Sequence, residues 1–340
     1  MNRSKINCAE EMSYIMEGAT IRNLLPEIGK EQIVHQILNG LTSPKRQISS
    51  MFFYDSLGSK LFEEITALPE YYLTRTEKTL IPQATCRLSD KLQHLEIVEL
   101  GSGDCSKISL LLQGLPEEQL TTLCYKPIDV SQSAIENSTY KLIQQFPELK
   151  IDALIADFIS HISQISLNNS KRLFCFFGST LGNLDLQQSE RFFDDLGNVM
   201  NREDRLLLGV DMIKERDVIE RAYNDSRDVT ARFNRNILDV VNSIAETNFD
   251  TEYYDHLAFY NEQYDRIEMH LKARKTQTIA SPHLQDEILI RRGETIHTEN
   301  SYKFNQQGVD HLTKRAGLVL EDTFSDSNQW FSLFQFIKKK

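Results

Sequence analysis

The stretch Ile97-Val98-Glu99-Leu100-Gly101-Ser102-Gly103-Asp104-Cys105-Ser106-Lys107-Ile108 constrains this chain more than any other. An apolar run with a β-branched start stops at a glycine turn. A helix-like segment, Lys107 to Gln113, begins at once. The pattern predicts a strand, a tight turn and a helix N-terminus, an arrangement that places a nucleotide-type ligand against backbone N–H groups at the end of a strand. Glycines at the turn let the backbone reverse and approach a ligand closely. Taken alone, the pattern also describes an ordinary strand-to-helix connection with no ligand.

Two residues narrow the ligand. The third position of the dinucleotide fingerprint is Ser106 rather than glycine, and Glu99 places a carboxylate where a diphosphate would be repelled. A positively charged cofactor is expected instead. S-adenosylmethionine carries a sulfonium and an ammonium, and the Glu-x-Gly-x-Gly form after the first strand suits it.

A βαβ rhythm follows. Strands are expected at Ile97–Leu100, Thr121–Asp129, Ile151–Ala156, Arg172–Phe177 and Arg205–Val210, with Ser131 capping a helix from Gln132 to Phe146. Strands separated by helices imply a mainly parallel sheet with ligands at the carboxyl ends. Glu99, Asp129, Asp157, Asn183 and Asp211 all fall at or near such ends. Asp129 is placed to accept two ribose hydroxyls, or to help cap the helix after Ser131. Asp157-Phe158 reads as an adenine site, the acid for the exocyclic amine and the ring for stacking.

The rest of the chain is less regular. Gln32 to Leu41 fits a short helix, stopped by Pro44. Asp55 and Gly58 mark a turn, a helix runs from Ser59 to Leu68, and Pro69 ends it. The following Glu70 to Glu77 is polar and aromatic for a plain linker and suits a pocket wall or a packing surface. Asp217 to Ala245 reads as one long helix. Tyr253–Tyr260, Arg266–Ala273 and Glu287–Arg291 are strand-prone, Gln306 to Ala316 is helical, and Leu318–Glu321 with Trp330–Ile337 would close the sheet. Residues 1–25 have no clear period and read as a variable extension.

The net charge of −11 argues against nucleic acid or an anionic membrane surface as a partner. The five cysteines are scattered, with no paired spacing for zinc, and read as reduced thiols of a cytoplasmic protein with no metal site. No segment approaches the ~20 apolar residues of a membrane span.

Seven segments in order carry a family resemblance: FYDSLGSKLFEEITALPEYYLTRTE, VELGSGDCSK, PIDVSQSAI, FFGSTLGNLD, AYNDSRDVTARFNRN, IEMHL and GETIHTENSYKF. The chain from about Arg46 onward resembles the histidine-specific, S-adenosylmethionine-dependent methyltransferases, which make the trimethylated betaine of histidine (hercynine) on the way to ergothioneine. The family also includes members that act on other amino acids and on indole derivatives.

The resemblance implies an α/β fold: a doubly wound, Rossmann-like class I methyltransferase sheet with a second α+β substrate-binding lobe. The division it implies is an extension at 1–25, a substrate lobe from 26–74 plus 213–303, and a cofactor domain from 75–212 plus 304–340. It implies that Gly101 and Lys107 border S-adenosylmethionine, that Asp129 holds the ribose, that Asp157 and Phe158 hold the adenine, and that Tyr71 sits where cofactor and substrate meet. For L-histidine, Asn183 and Tyr223 match the groups that take the carboxylate. Gly178 and Thr230 match the amino-group side, Met269 a pocket wall, and Tyr54, Glu299 and Ser301 the imidazole. Tyr54, Asn183 and Tyr223 are the residues expected to act in catalysis, in a monomer.

The residue chemistry agrees with that expectation. A neutral imidazole offers one N–H donor and one acceptor, which a carboxylate and a hydroxyl complement, whereas an indole offers only its N–H. Glu299 and Ser301, two apart, share one face of a strand. The bland alternative for Glu299 is an ion pair with Lys303 or Arg291. No His or Lys stands out as a base, so positioning and desolvation are expected to carry an in-line attack of the α-amine on the sulfonium methyl. The proton would leave to solvent or through a Tyr or Asn network, and the Tyr54 and Tyr71 rings would tolerate the growing cation. Rival readings are a methyltransferase of another amine such as a tryptophan derivative, a protein or RNA methyltransferase, and a non-catalytic cofactor sensor.

Overall fold

The apolar runs named above become the central strands of one ten-stranded sheet in the computed structural model, which describes residues 5–8, 11–16, 18–25, 29–88, 95–164 and 171–339. The chain divides into two units. Unit 1 is Met1–Pro26, Thr76–Met212 and Phe304–Lys340; unit 2 is Glu27–Arg75 and Ile213–Lys303.

In chain order the first strands are β1 (Lys5–Cys8), β2 (Glu11–Met16), β3 (Ala19–Asn23), β4 (Glu96–Leu100), β5 (Cys124–Asp129), β6 (Lys150–Ile155), β7 (Arg172–Phe176) and β8 (Arg205–Asp211). Those of unit 2 are β9 (Tyr254–Asn261), β10 (Arg266–Ala273), β11 (Gln277–Ile279), β12 (Ile288–Ile290) and β13 (Thr295–Tyr302). The chain ends on β14 (Leu318–Ser325) and β15 (Phe331–Lys338). The helices are α1 (Lys30–Thr42), α2 (Ser56–Thr66), α3 (Tyr72–Leu88), α4 (Ser106–Gln113), α5 (Glu117–Leu120), α6 (Gln132–Gln145), α7 (Phe158–His161), α8 (Leu186–Val199), α9 (Arg216–Tyr223), α10 (Val229–Ala245) and α11 (Gln306–Arg315).

The sheet of unit 1 runs β1-β2-β3-β6-β5-β4-β7-β8-β15-β14. Its strands from β3 to β8 pair in parallel, and the expected final pair closes it, with β15 antiparallel to β8. The chain leaves β4 toward β5 and β6, then returns to build β7 and β8 on the other side. The order therefore reverses between β4 and β7, the point where doubly wound sheets open a ligand crevice. Val98, Leu100, Phe174, Phe176, Leu206 and Leu208 are almost completely buried in the core with Phe192 and Phe334. Strands covered on both faces read as continuous apolar runs, which is why the sequence locates them well.

Three expectations need correction. The described residues within 1–25 do not stand apart as an extension: β1, β2 and β3 form an antiparallel meander, and β3 pairs in parallel with β6. Backbone pairing at a sheet edge leaves little side-chain period to read. The strand expected from Thr121 begins at Cys124, because Glu117–Leu120 forms a helical turn first. The helix expected from Asp217 to Ala245 is two, α9 and α10. Asp225 breaks it by accepting the backbone N–H groups of Arg227, Val229 and Thr230 at 3.1, 2.9 and 2.8 Å. Burial pushes that carboxyl up, but the N–H groups outweigh it and hold Asp225 below the usual carboxylate range.

In unit 2, α10 packs on α2, on α1 and on the sheet β13-β10-β9. Phe53 and Phe233 stack with ring centres 4.5 Å apart. The turn expected at Asp55–Gly58 is the helix start itself: the Asp55 side chain accepts the Gly58 N–H at 2.7 Å and the Asn236 amide at 2.8 Å. A Cβ at Gly58 would lie 1.7 Å from the Phe53 carbonyl oxygen, so only glycine fits there. The segment after Pro69, read as more than a linker, is the start of α3, which carries Pro82 in its interior.

Candidate active site

Apart from Tyr71, which belongs to unit 2, the expected cofactor residues fall in unit 1 at or just beyond the carboxyl ends of β4, β5 and β6. Gly101 (φ +72°), Gly103 (φ +53°) and Cys105 (φ +61°) turn the chain into α4 through left-handed backbone, which favours glycine. Five of the loop's N–H groups are already paired. Gly101 and Ser102 donate their N–H groups to the Ile128 carbonyl, Gly103 to Asp129, Cys105 to the Ser102 carbonyl and Ser106 to Asp104. This corrects the expectation of backbone N–H groups waiting for a ligand. The loop offers little to a phosphate, which fits a cofactor that has none.

Asp129 accepts from Gly103 N at 3.0 Å with one oxygen and from Ser131 N at 2.9 Å with the other. It therefore anchors the loop and flanks the helix cap, joining both readings made of it; Ser131 itself caps α6 by accepting from Ala134 N. Burial pushes the Asp129 carboxyl up, opposed by these N–H groups. Each of its oxygens retains a lone pair for a diol. Asp157 caps α7, accepting from Ile159 N at 3.0 Å and the Ser160 hydroxyl at 2.7 Å. The partly exposed Phe158 ring stands edge-on to Phe176 and Phe192 and lies 3.6 Å from where a Gly101 Cβ would be. A diol acceptor, a ring and a carboxylate around a phosphate-poor loop suit S-adenosylmethionine.

Glu99 does not serve as expected. It is buried and accepts a hydrogen bond from the Tyr125 hydroxyl. Burial pushes its carboxyl up to about 8, with Tyr125 and Lys107 opposing. Burial thus makes it harder to ionise than an exposed carboxyl, which weakens the negative charge expected of it. Asp211 is also fully buried.

Sequence reasoning missed Glu77. Fully buried, it pairs with Lys107 at 2.9 Å, and its two oxygens accept the Gly178 N–H at 2.8 and 2.9 Å. Glycines make room for this arrangement. A Cβ at Gly178 would lie 2.7 Å from Lys107 Nζ, and one at Gly209 would lie 2.0 Å from Glu77 Oε1. Its only sequence signal is the polar, aromatic stretch that it ends. Asn183, partly exposed, closes the 3₁₀ turn Thr180–Asn183 after β7.

Unit 2 holds the other expected residues. Met269 pairs directly with Glu299, and Ile267 with Ser301, so Glu299, Ser301 and Met269 share one face. Glu299 is partly exposed as a residue, but burial around its carboxyl pushes it up to about 7 while Lys303 pulls down. Arg291, one alternative partner, contacts Glu294 at 3.5 Å. The Tyr223 hydroxyl donates to Ser301 Oγ at 2.7 Å. Lys303 Nζ donates to Ser301 Oγ at 2.9 Å and to the Tyr223 hydroxyl at 3.1 Å.

An aromatic chain links three more expected residues. Tyr54 meets Phe62 edge-on at 5.7 Å, Phe62 meets Tyr71 at 6.4 Å, and Tyr71 meets Tyr223 at 6.3 Å. Phe62 was missed because on the apolar stripe of α2 it reads as core. Thr230 sits in the first turn of α10, its N–H on Asp225. Among the described residues no cluster of His, Cys, Asp or Glu could hold a metal, and no helix is long and apolar enough to cross a membrane.

Residues 33–338 match the family described as "Histidine-specific methyltransferase, SAM-dependent". The histidine N-alpha-methyltransferase of Mycolicibacterium smegmatis is 35% identical over 310 residues, covering 91% of this chain and 96% of the relative. That of Mycobacterium tuberculosis is 34% identical over 303 residues, covering 89% and 94%. A solved structure of a possible exported protein from Bordetella parapertussis, 11% identical, covers 92% of this chain and 94% of its own, with a TM-score of 0.50. With the family matched across nine-tenths of its length, the chain belongs to the histidine-specific, S-adenosylmethionine-dependent methyltransferases.

Proposed function

We propose that this protein transfers methyl groups from S-adenosylmethionine to the α-amino group of L-histidine, up to three times, giving hercynine for ergothioneine biosynthesis. The observation that carries this reading is the shared face of Glu299 and Ser301. A carboxylate and a hydroxyl two residues apart match the two nitrogens of an imidazole, and Met269 walls that face.

S-adenosylmethionine supplies an electrophilic methyl on a sulfonium. This chain's residues hold and orient. Asp129 takes the ribose, Asp157 and Phe158 the adenine, and Gly101 and Lys107 border the rest. Tyr223 and Asn183 take the substrate carboxylate, Gly178 and Thr230 the amine side, and Tyr54, Glu299 and Ser301 the ring. The amine must be neutral to attack, and burial beside a cation lowers an amine pKa in the needed direction. Orientation alone supplies up to about 7–11 kcal/mol in well-aligned systems. We read the enzyme as a monomer of a reducing, cytoplasmic compartment.

The test is mass spectrometry of the purified protein with S-adenosylmethionine and an equimolar mixture of the twenty amino acids and tryptamine-type amines. Histidine alone should gain one, two and three methyl increments, placed on the α-amine by fragmentation. Methylation of another amine would overturn the roles given to Glu299 and Ser301. Absence of any product would overturn the enzymatic reading.

A further inference from the structure

The β10–β13 ladder changes face within one step. Glu299 pairs with Met269 and His297 with His270, although Glu299 and His297 are two residues apart. In a regular strand those two would share a face. Here they do not, because Thr298 is an extra residue between them, and such a bulge re-aims the side chains beside it. Thr298 is buried, and its hydroxyl donates to the Asn234 side-chain oxygen at 2.7 Å and to the Met269 carbonyl at 3.1 Å. Asn234, fully buried on α10, donates its amide nitrogen to the His270 carbonyl at 3.0 Å. A carbonyl has nothing to donate, so this bond fixes which way the amide lies. The same NH2 group faces His256 Nδ1 at 2.9 Å, and His256 Nε2 donates to the Tyr223 carbonyl at 2.8 Å. His256 thus carries its proton on Nε2 and leaves Nδ1 bare. Burial lowers its pKa and favours that neutral form; the bond to Tyr223 opposes this, Arg235 adds to it, and Asp225 and Asp228 oppose it.

We propose that His256, Asn234 and Thr298 are positioning residues for substrate recognition: neutral His256 sets the Asn234 amide, Asn234 holds the Thr298 hydroxyl, and the bulge fixed in this way keeps Glu299 on the face of Met269 and Ser301. The inference rests on the histidine reading and adds three residues which that reading does not use. They act through Glu299 rather than on the substrate. An imidazolium at His256 would turn a second N–H toward the Asn234 NH2 group, donor against donor. The amide could turn over only by giving up the His270 carbonyl, and a buried network with one polarity reversed is costly. Glu299 is assigned to the ring, away from the reacting amine. Loosening it should weaken histidine binding and leave the chemical step nearly unchanged.

Thr298→Val keeps the shape and removes the hydroxyl, whereas Thr298→Ser keeps the hydroxyl. In steady-state kinetics the valine variant should raise KM for histidine about tenfold with kcat within about twofold of wild type, and the serine variant should stay near wild type. Affinity for S-adenosylhomocysteine, read by calorimetry, should be unchanged; a parallel loss would make Thr298 a general structural residue and overturn the inference. In a Glu299→Gln background Thr298→Val should raise KM by a clearly smaller factor, because residues acting through one group are not additive. Equal factors in both backgrounds overturn it, as does an unchanged KM in a folded Thr298→Val protein. Wild-type protein that methylates no histidine overturns the histidine reading along with it. A further test uses the wild-type protein alone: ring-¹⁵N-histidine labelling and NMR at about pH 7 should show His256 with a protonated Nε2 and a bare Nδ1. A proton on His256 Nδ1 overturns the inference and leaves the histidine reading intact.

Discussion

Met269 stands directly opposite Glu299 across the β10–β13 ladder, one step before the register shifts at His270. The shift leaves Thr298 as the extra residue, and its hydroxyl donates to the Asn234 side chain at 2.7 Å and to the Met269 carbonyl at 3.1 Å. The neighbour facing Glu299 across the ladder is thus an apolar thioether, while the Lys303 ammonium acts on its carboxyl through charge. Glu299→Gln keeps the shape and removes the charge. Histidine kcat/KM should fall about 10–100-fold, as for losing one charge-assisted hydrogen bond. Steady-state kinetics checks this, and an unchanged value would remove Glu299 from ring recognition.

Asp129, at the β5 end, holds the glycine loop with one oxygen, which accepts from Gly103 N, and the start of α6 with the other, which accepts from Ser131 N. Asp129→Asn replaces one acceptor with a donor aimed at a backbone N–H or at a ribose hydroxyl. Affinity for S-adenosylhomocysteine, measured by calorimetry, should drop about 10–100-fold, equivalent to roughly 1.4–2.8 kcal/mol. An unaltered affinity would assign Asp129 to loop structure alone.

Glu77 links Lys107 to the Gly178 backbone. Glu77→Gln retains an acceptor for Gly178 but leaves Lys107 without its carboxylate. Thermal unfolding should show a loss of about 3 kcal/mol, at the low end for a broken buried pair because Lys107 is partly exposed. KM for S-adenosylmethionine should rise about tenfold, since the Lys107 ammonium is no longer held in place. A protein with wild-type Tm and KM would refute this linkage.

Glu99 is an acid whose folded value, about 8, lies above its ordinary 4.5. The folded state therefore binds a proton more readily than the unfolded one. The stability this group contributes is fully present below about pH 4.5 and is lost as pH rises through about 8. Glu99→Gln keeps an acceptor for Tyr125 and cannot ionise. Its Tm should match wild type near pH 5 and exceed it at pH 9, by about 2–4 °C for each kcal/mol relieved. A Tm difference independent of pH would mean that Glu99 is not the titrating group.

The fold was legible where burial imposes a pattern. The fully buried strands around Val98, Phe174 and Leu206 announce themselves as apolar runs. The cap at Ser131 follows from a short polar side chain before a helix. The strands at residues 5–23 were not legible, because their place comes from backbone pairing. The helix α3 was obscured by Pro82 and by the mixed character of Glu70 to Glu77. The split between α9 and α10 turned on Asp225 gathering three N–H groups, which no period announces.

By itself the sequence determined the βαβ order, the glycine turn at Gly101–Gly103, the acids after β5 and β6, and the two-residue spacing of Glu299 and Ser301. These are local: each depends on residues a few positions apart and on the fixed geometry of strands and turns. Tertiary structure alone decided which groups keep their charge and which way their hydrogen bonds run. Glu99 became a buried partner of Tyr125, Glu77 became the anchor of Lys107 and Gly178, and Lys303 turned to Ser301. The physical reason is that ionisation and donor–acceptor polarity depend on burial and on neighbours brought in from distant strands, which spacing along the chain does not encode.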